Sequence, residues 1–201
     1  MIDEIMEFNR KFVESRGYEP YLTSKYPDKK LAVLTCMDTR LIELLPAALG
    51  IRNGDAKIIK NAGGVTNHPY GSVMRSLLVG ILELGVEEIM VIGHTDCGVQ
   101  GMDGKEMLKK LEERGVSREH MDIICHSGVD LEKWLGGFSS VETSVRETVK
   151  SLKEHPLMPK DIRISGFIMD SVTGKLTRAE EQAHISSEKE YTDRETPPRG
   201  K

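Results

Sequence analysis

Leu31-Ala32-Val33-Leu34-Thr35-Cys36-Met37-Asp38-Thr39-Arg40 begins as an unbroken apolar run of strand length and passes at once into a thiol, an acid and a guanidinium. A strand that is apolar on both faces must be covered on both faces, as in a sheet with helices above and below it. A second run of this kind, Glu88-Ile89-Met90-Val91-Ile92-Gly93, leads directly into His94-Thr95-Asp96-Cys97-Gly98. Ala56 to Lys60 and Ile162 to Met169 read as two further strands, and Ser171-Val172-Thr173-Gly174 as a turn into a short returning one.

Apolar residues at helical spacing fill the intervals. Ile2, Ile5, Met6, Phe12 and Val13 share one helical face that Gly17 can end. Tyr70 to Leu84 stops at Gly85, and Lys105 to Arg114 stops at Gly115. Val141, Val145, Val149 and Leu152 form a stripe that ends before His155-Pro156. Leu41 to Leu49 is helical too, shortened or kinked by Pro46. Strands alternating with helices predict an α/β fold, with a mainly parallel central sheet of four to five strands flanked by helices. One domain, N-terminal helix included, is expected over 1–178, followed over 179–201 by a polar tail that is mobile or orders on a partner.

Composition narrows the function classes. With 38% hydrophobic and 30% charged residues the chain has the balance of a globular protein rather than a disordered one. A formal net charge of −4 gives no basic field to attract nucleic acid or an anionic membrane surface, so neither is an expected partner. Met1-Ile2-Asp3-Glu4 is acidic and opens no apolar run, unlike a secretory signal, so a cytoplasmic location is expected. Three cysteines, Cys36, Cys97 and Cys125, are too few for a disulfide framework and would remain available as thiolates.

Cys36 and His94 each follow a strand, 58 positions apart, and in open α/β sheets ligands bind at the carboxyl ends of strands. Two thiolates and an imidazole suit zinc, which favours sulfur and nitrogen donors. The His-x-x-Cys spacing lets one tight turn present His94 and Cys97 to the same ion as Cys36. Three protein ligands leave the fourth tetrahedral position to water, as in a catalytic site. Other cysteine chemistries fit poorly: neither Cys36 nor Cys97 opens a Cys-x5-Arg phosphate loop, and no Cys-x-x-Cys pair exists.

Cys36-x-Asp38-x-Arg40, followed by Asn61-Ala62-Gly63-Gly64 and then Gly93-His94-x-x-Cys97-Gly98, resembles the β-class carbonic anhydrases of prokaryotic type. The resemblance implies one Zn²⁺ per chain on Cys36, His94 and Cys97, with Asp38 and Arg40 as a catalytic dyad. It implies reversible hydration of carbon dioxide to bicarbonate by zinc-bound hydroxide, in a homodimer or a multiple of it with the cleft near the subunit interface. A carbon disulfide or carbonyl sulfide hydrolase could use the same centre. A non-catalytic zinc protein with Asp38 as fourth ligand is a third reading.

The residue chemistry agrees with that implication. Two thiolates cancel the formal charge of Zn²⁺, so its water should ionise above the value of about 7 found for three-histidine sites. Asp38 can accept a hydrogen bond from the hydroxide, while Arg40 can grip the carboxylate bidentately, keep it ionised and turn it off the metal. Gly63 and Gly64 would allow close backbone approach beside the metal, and Gly98 a sharp turn after a ligand; these three are the expected substrate-pocket residues. Asp96 would orient a ligand or cap a helix, and Lys60 stands where the family often has arginine. Cys125 is expected to be packed, beside a surface His126, while His68 could approach the cleft.

Overall fold

The computed structural model describes residues 1–179, so the expected polar tail lies, but for its first residue, outside the described residues. Five strands form one sheet: β1 (Leu31–Cys36), β2 (Ala56–Asn61), β3 (Glu88–His94), β4 (Arg163–Met169) and β5 (Leu176–Arg178). Their order is β2-β1-β3-β4-β5, with only β5 antiparallel to its neighbour. The chain therefore builds outward from β1 in one direction to β2 and in the other to β3 and β4. The carboxyl ends of β1 and β3 border the point where direction reverses, which is where such sheets open a crevice. Register places Thr35 opposite Ile92, so Cys36 and His94 emerge at the same edge.

Seven helices are described: α1 (Ile2–Glu14), α2 (Leu44–Leu49), α3 (Ser72–Leu84), α4 (Gly104–Glu113), α5 (Arg118–His126), α6 (Leu131–Leu135) and α7 (Val141–Glu154). One core layer joins Ala32, Ile89, Val91 and Ile164 of the sheet to Met74 and Leu77 of α3 and to Val145, Val149 and Leu152 of α7. The other joins Val33, Ile92 and Met169 to Leu41, Leu45 and Ile51, and contains Cys36 and Cys97. The expected two-sided cover of β1 and β3 is thus present, and the two cysteine candidates belong to the second layer.

Pro46 explains the short α2. It occupies the first turn, where its missing N–H has no intrahelical acceptor, so the helix starts at Leu44 behind a separate 3-10 turn, Thr39–Leu41. The expected strand after Ser171-Val172-Thr173-Gly174 is β5; the Asp170 carboxylate shapes that turn, accepting from the backbone of Val172 and Thr173 and from the Thr173 hydroxyl. Among the described residues no helix is long and apolar enough to cross a membrane. Unlike the other long helices, α1 buries none of its residues, and Ile2, Ile5, Met6 and Phe8 are all more than half exposed.

Helix α7 rides against the sheet over glycines. A Cβ at Gly93 would stand 2.7 Å from side-chain carbons of Val141 and Val145, and one at Gly166 would stand 2.7 Å from Val145 and 3.1 Å from Val149. The contact leaves no room for a side chain on β3 or β4 there. Gly166→Val should cost about 1–3 kcal/mol through overpacking, lowering the melting temperature by roughly 3–10 °C while the far-UV circular dichroism stays the same. An unchanged melting curve would show that α7 does not sit this close.

Candidate metal centre

The strand ends deliver three donors to one point. Cys36 is the last residue of β1 and His94 the last of β3, while Cys97 follows after a two-residue reversal. All three are buried, His94 completely. The Cys36 and Cys97 sulfurs are 3.8 Å apart, and the three ligand atoms lie within 4.8 Å of one another. Two sulfurs held by one ion at roughly 2.3 Å in tetrahedral geometry stand roughly 3.8 Å apart. The pair is therefore spaced for a shared ion.

His94 supplies the clearest sign. Its Nδ1 lies 2.9 Å from the Thr95 carbonyl, an acceptor only, so the proton sits on Nδ1 and Nε2 is left as a lone pair. That Nε2 is buried with no hydrogen-bond partner, one of two such side-chain atoms among the described residues. A buried polar atom without a partner is costly, and a metal ion would satisfy it. Burial pushes the Cys97 thiol up, the neighbouring Cys36 sulfur adds to this, and the Val99 and Gln100 N–H groups oppose it. The donor set fits a borderline-soft divalent ion, which would displace the thiol protons on binding.

Asp38 and Arg40 flank the donors. The Arg40 Nε donates to Asp38 Oδ1 at 3.0 Å and its Nη2 to Oδ2 at 2.8 Å, a bidentate pair. The Arg40 backbone N–H also donates to Oδ1, at 2.9 Å, so Asp38 caps the 3-10 turn as well as pairing with the guanidinium. These bonds hold the Asp38 carboxyl well below the usual carboxylate range, the Arg40 side chain contributing most and its N–H next. Asp38 Oδ2 is 3.9 Å from His94 Nε2, yet the carboxylate does not join the three converging donors. Lys60 feels the charges of Cys36 and Asp38, although burial outweighs them and lowers its pKa.

The glycines divide. Gly64 has φ +67°, and a Cβ there would fall 2.9 Å from the Thr35 carbonyl carbon and 3.0 Å from the Cys36 nitrogen, so this backbone passes directly over a donor strand. Gly63 faces Val99 and Phe138, which pack against the layer holding both cysteines. Gly98 differs from expectation: it is not among the left-handed glycines and nothing stands within 4 Å of an added Cβ. The tight conformation falls instead on Asp96, at φ 54°.

Among the described residues Asp96 neither caps a helix nor hydrogen-bonds a donor side chain; it binds Arg40, through its carboxylate at 2.8 Å and its carbonyl at 2.7 Å. The signal available in the sequence was an aspartate, a residue tolerant of left-handed backbone, between two ligands that must face one ion. Cys125 is exposed rather than packed, because α5 buries only Met121. His68 engages its own turn, accepting the Tyr70 N–H at 3.0 Å.

A family model described as carbonic anhydrase matches residues 31–176. The Bacillus subtilis protein YtiB, itself assigned as a carbonic anhydrase only provisionally, is 51% identical over 176 residues, covering 88% of this chain and 94% of its own. A carbon disulfide hydrolase of Saccharolobus solfataricus is 33% identical over 169 residues, covering 78% of this chain and 80% of its own. Among solved structures, the β-carbonic anhydrase isoform I of Trichomonas vaginalis superposes with a TM-score of 0.80 at 33% identity, covering 89% of this chain and 97% of that one.

Metal binding to the folded chain alone should raise its stability. At a hundredfold excess of free zinc over Kd the gain is about 2.7 kcal/mol, so adding zinc to chelator-treated protein should raise the melting temperature by roughly 5–10 °C. Cys97→Ala should abolish the rise. A rise that survives the substitution would place the ion elsewhere.

Proposed function

Because the chain belongs to the β-carbonic anhydrase family, we propose that it hydrates carbon dioxide reversibly to bicarbonate and a proton, with one Zn²⁺ per chain on Cys36, His94 and Cys97. The observation that carries this reading is the buried, partnerless His94 Nε2 beside two sulfurs 3.8 Å apart. Two sulfurs and a nitrogen suit zinc, and three protein donors leave one tetrahedral position for water. When bound, the ion supplies a Lewis acid that brings the ionisation of a water molecule toward neutral pH.

The chain's own residues orient and confine the reactants. Asp38, kept ionised by Arg40, can only accept hydrogen bonds. Placed 3.9 Å from His94 Nε2, it takes the attacking water's O–H and leaves an oxygen lone pair free to face the substrate carbon. Arg40 holds both carboxylate oxygens, so Asp38 cannot swing into the fourth position without losing the bidentate pair. Gly63 brings the backbone in beside Val99 and Phe138, an apolar wall suited to a small uncharged substrate, while Gly64 lies over Thr35 and Cys36, and Gly98, just past Cys97, is exposed. The Lys60 ammonium, close enough to feel Cys36 and Asp38, would favour the anionic product.

The same centre supports a second reading, hydrolysis of carbon disulfide or carbonyl sulfide, favoured by the 33% identical carbon disulfide hydrolase. The non-catalytic reading, with Asp38 as permanent fourth ligand, is disfavoured because its carboxylate stands outside the donor group and in the grip of Arg40. We read the protein as a homodimer or a multiple of it, because α1 carries an apolar face with nothing buried against it. A cytoplasmic location suits the free, buried thiols Cys36 and Cys97, which a reducing compartment preserves.

Stopped-flow carbon dioxide hydration, with zinc measured on the same sample, tests the reading. The wild type should carry one zinc per chain and turn over. Arg40→Ala should keep its zinc and lose about a hundredfold in kcat, the scale of a misplaced reacting group; unchanged turnover would remove the dyad from the mechanism. Carbon disulfide assayed in parallel decides between the readings: turnover of it without carbon dioxide hydration would select the second.

A further inference from the structure

Arg40 sits between two loops rather than on one. Four of its five guanidinium N–H bonds have acceptors: Nε and Nη2 donate to the Asp38 carboxylate, Nη1 to Asp96 Oδ2 and Nη2 to the Asp96 carbonyl. Asp38 follows β1 and Asp96 follows β3, so the acceptors come from positions 58 residues apart in the chain. A guanidinium is planar, and its fork meets Asp38 squarely only if rotation about its long side chain is stopped. The Asp38 pair by itself leaves Arg40 hinged on one carboxylate, at a position 40% exposed. The Asp96 carboxylate and carbonyl engage Nη1 and Nη2 from the β3 loop and fix the plane.

The backbone of Asp96 is formed for this contact. With φ 54° the residue turns its carbonyl and its carboxylate toward the same neighbour, a conformation that aspartate and asparagine tolerate and most side chains avoid. Its side chain is 85% exposed and pairs with no other cation among the described residues, so neither burial nor core packing accounts for an acid at this position.

We propose that Asp96 is a positioning residue for the reaction, holding the Arg40 guanidinium in the one orientation that grips both oxygens of Asp38. It touches neither substrate nor the attacking water. It acts by stopping Arg40 from turning away, and so by keeping Asp38 aimed. This role rests on the carbon dioxide hydration reading, whereas the grip of Asp96 on Arg40 does not.

The test separates the carboxylate from the backbone. Asp96→Gly keeps the left-handed turn without strain and removes only the side chain; Asp96→Asn keeps the turn and one acceptor for Nη1. In the zinc-loaded wild type, the Arg40 guanidinium should give separate Nη1 and Nη2 signals in a ¹⁵N-labelled sample, because its rotation is slow. In Asp96→Gly these should average, while kcat and kcat/KM fall together by about fivefold, the scale of an exposed ion pair. KM and zinc content should not move, and Asp96→Asn should recover most of the loss.

Arg40 signals in Asp96→Gly identical to those of the wild type would overturn the proposal. So would a loss of turnover matched by an equal loss of zinc, since Asp96 would then serve only to build the metal loop. Should the wild type fail to hydrate carbon dioxide, the reading of the reaction falls, and with it the positioning role; the Arg40 signals would still report whether Asp96 holds the guanidinium.

Discussion

A ring nitrogen with a free lone pair, sealed from water beside two thiols, is the constraint around which this chain is arranged. His94 Nε2 makes no hydrogen bond, and its tautomer is set by the Thr95 carbonyl on the other side of the ring. Left alone, such an atom destabilises the fold by roughly 1–3 kcal/mol, and the adjacent Cys97 thiol, raised by burial, holds its proton. An ion with affinity for sulfur and nitrogen removes both costs at once. An ion bound here would couple to folding, and the two sulfurs already stand at the separation a shared ion needs.

The sheet makes that convergence possible. Because β1 and β3 are neighbours and the strand order reverses between them, loops distant in sequence open toward the same crevice. Close packing then fixes where each loop starts: α7 presses on Gly93, the residue before His94, and Gly64 lies on the backbone of Thr35 and Cys36. The positions of the donors are thus set by contacts in which there is no space for a side chain. Arg40 adds a polar tie between the same two loops, bonded to Asp38 on one and Asp96 on the other.

What the sequence disclosed, and what it hid, follows from the range of the forces involved. β1 and β3 were legible because burial on both faces writes a continuous apolar run, and α3 and α7 because one-sided burial writes a periodic one. The three donors were legible because metal chemistry restricts residue type and spacing. The short α5 and α6 were not: α5 sets Met121, Ile124 and Cys125 at helical spacing yet buries only the first, and α6, five residues long, buries only Leu131; Ser117 and Asp130 cap them. The same shallow burial left Cys125 exposed where packing was expected. Asp96 escaped because its partner is 56 residues away and its backbone angle, not its neighbours in sequence, decides what it can reach. Gly98 misled in the opposite sense, suggesting a sharp turn that the chain makes two residues earlier.

X-ray absorption at the zinc edge of the zinc-loaded protein addresses the central claim most directly, because it counts the donors around the ion. Two sulfurs at about 2.3 Å and two lighter atoms near 2.0–2.1 Å are expected, the lighter pair being the His94 nitrogen and an oxygen from water. A shell with no sulfur, or with more than two, would contradict a centre built from Cys36, His94 and Cys97.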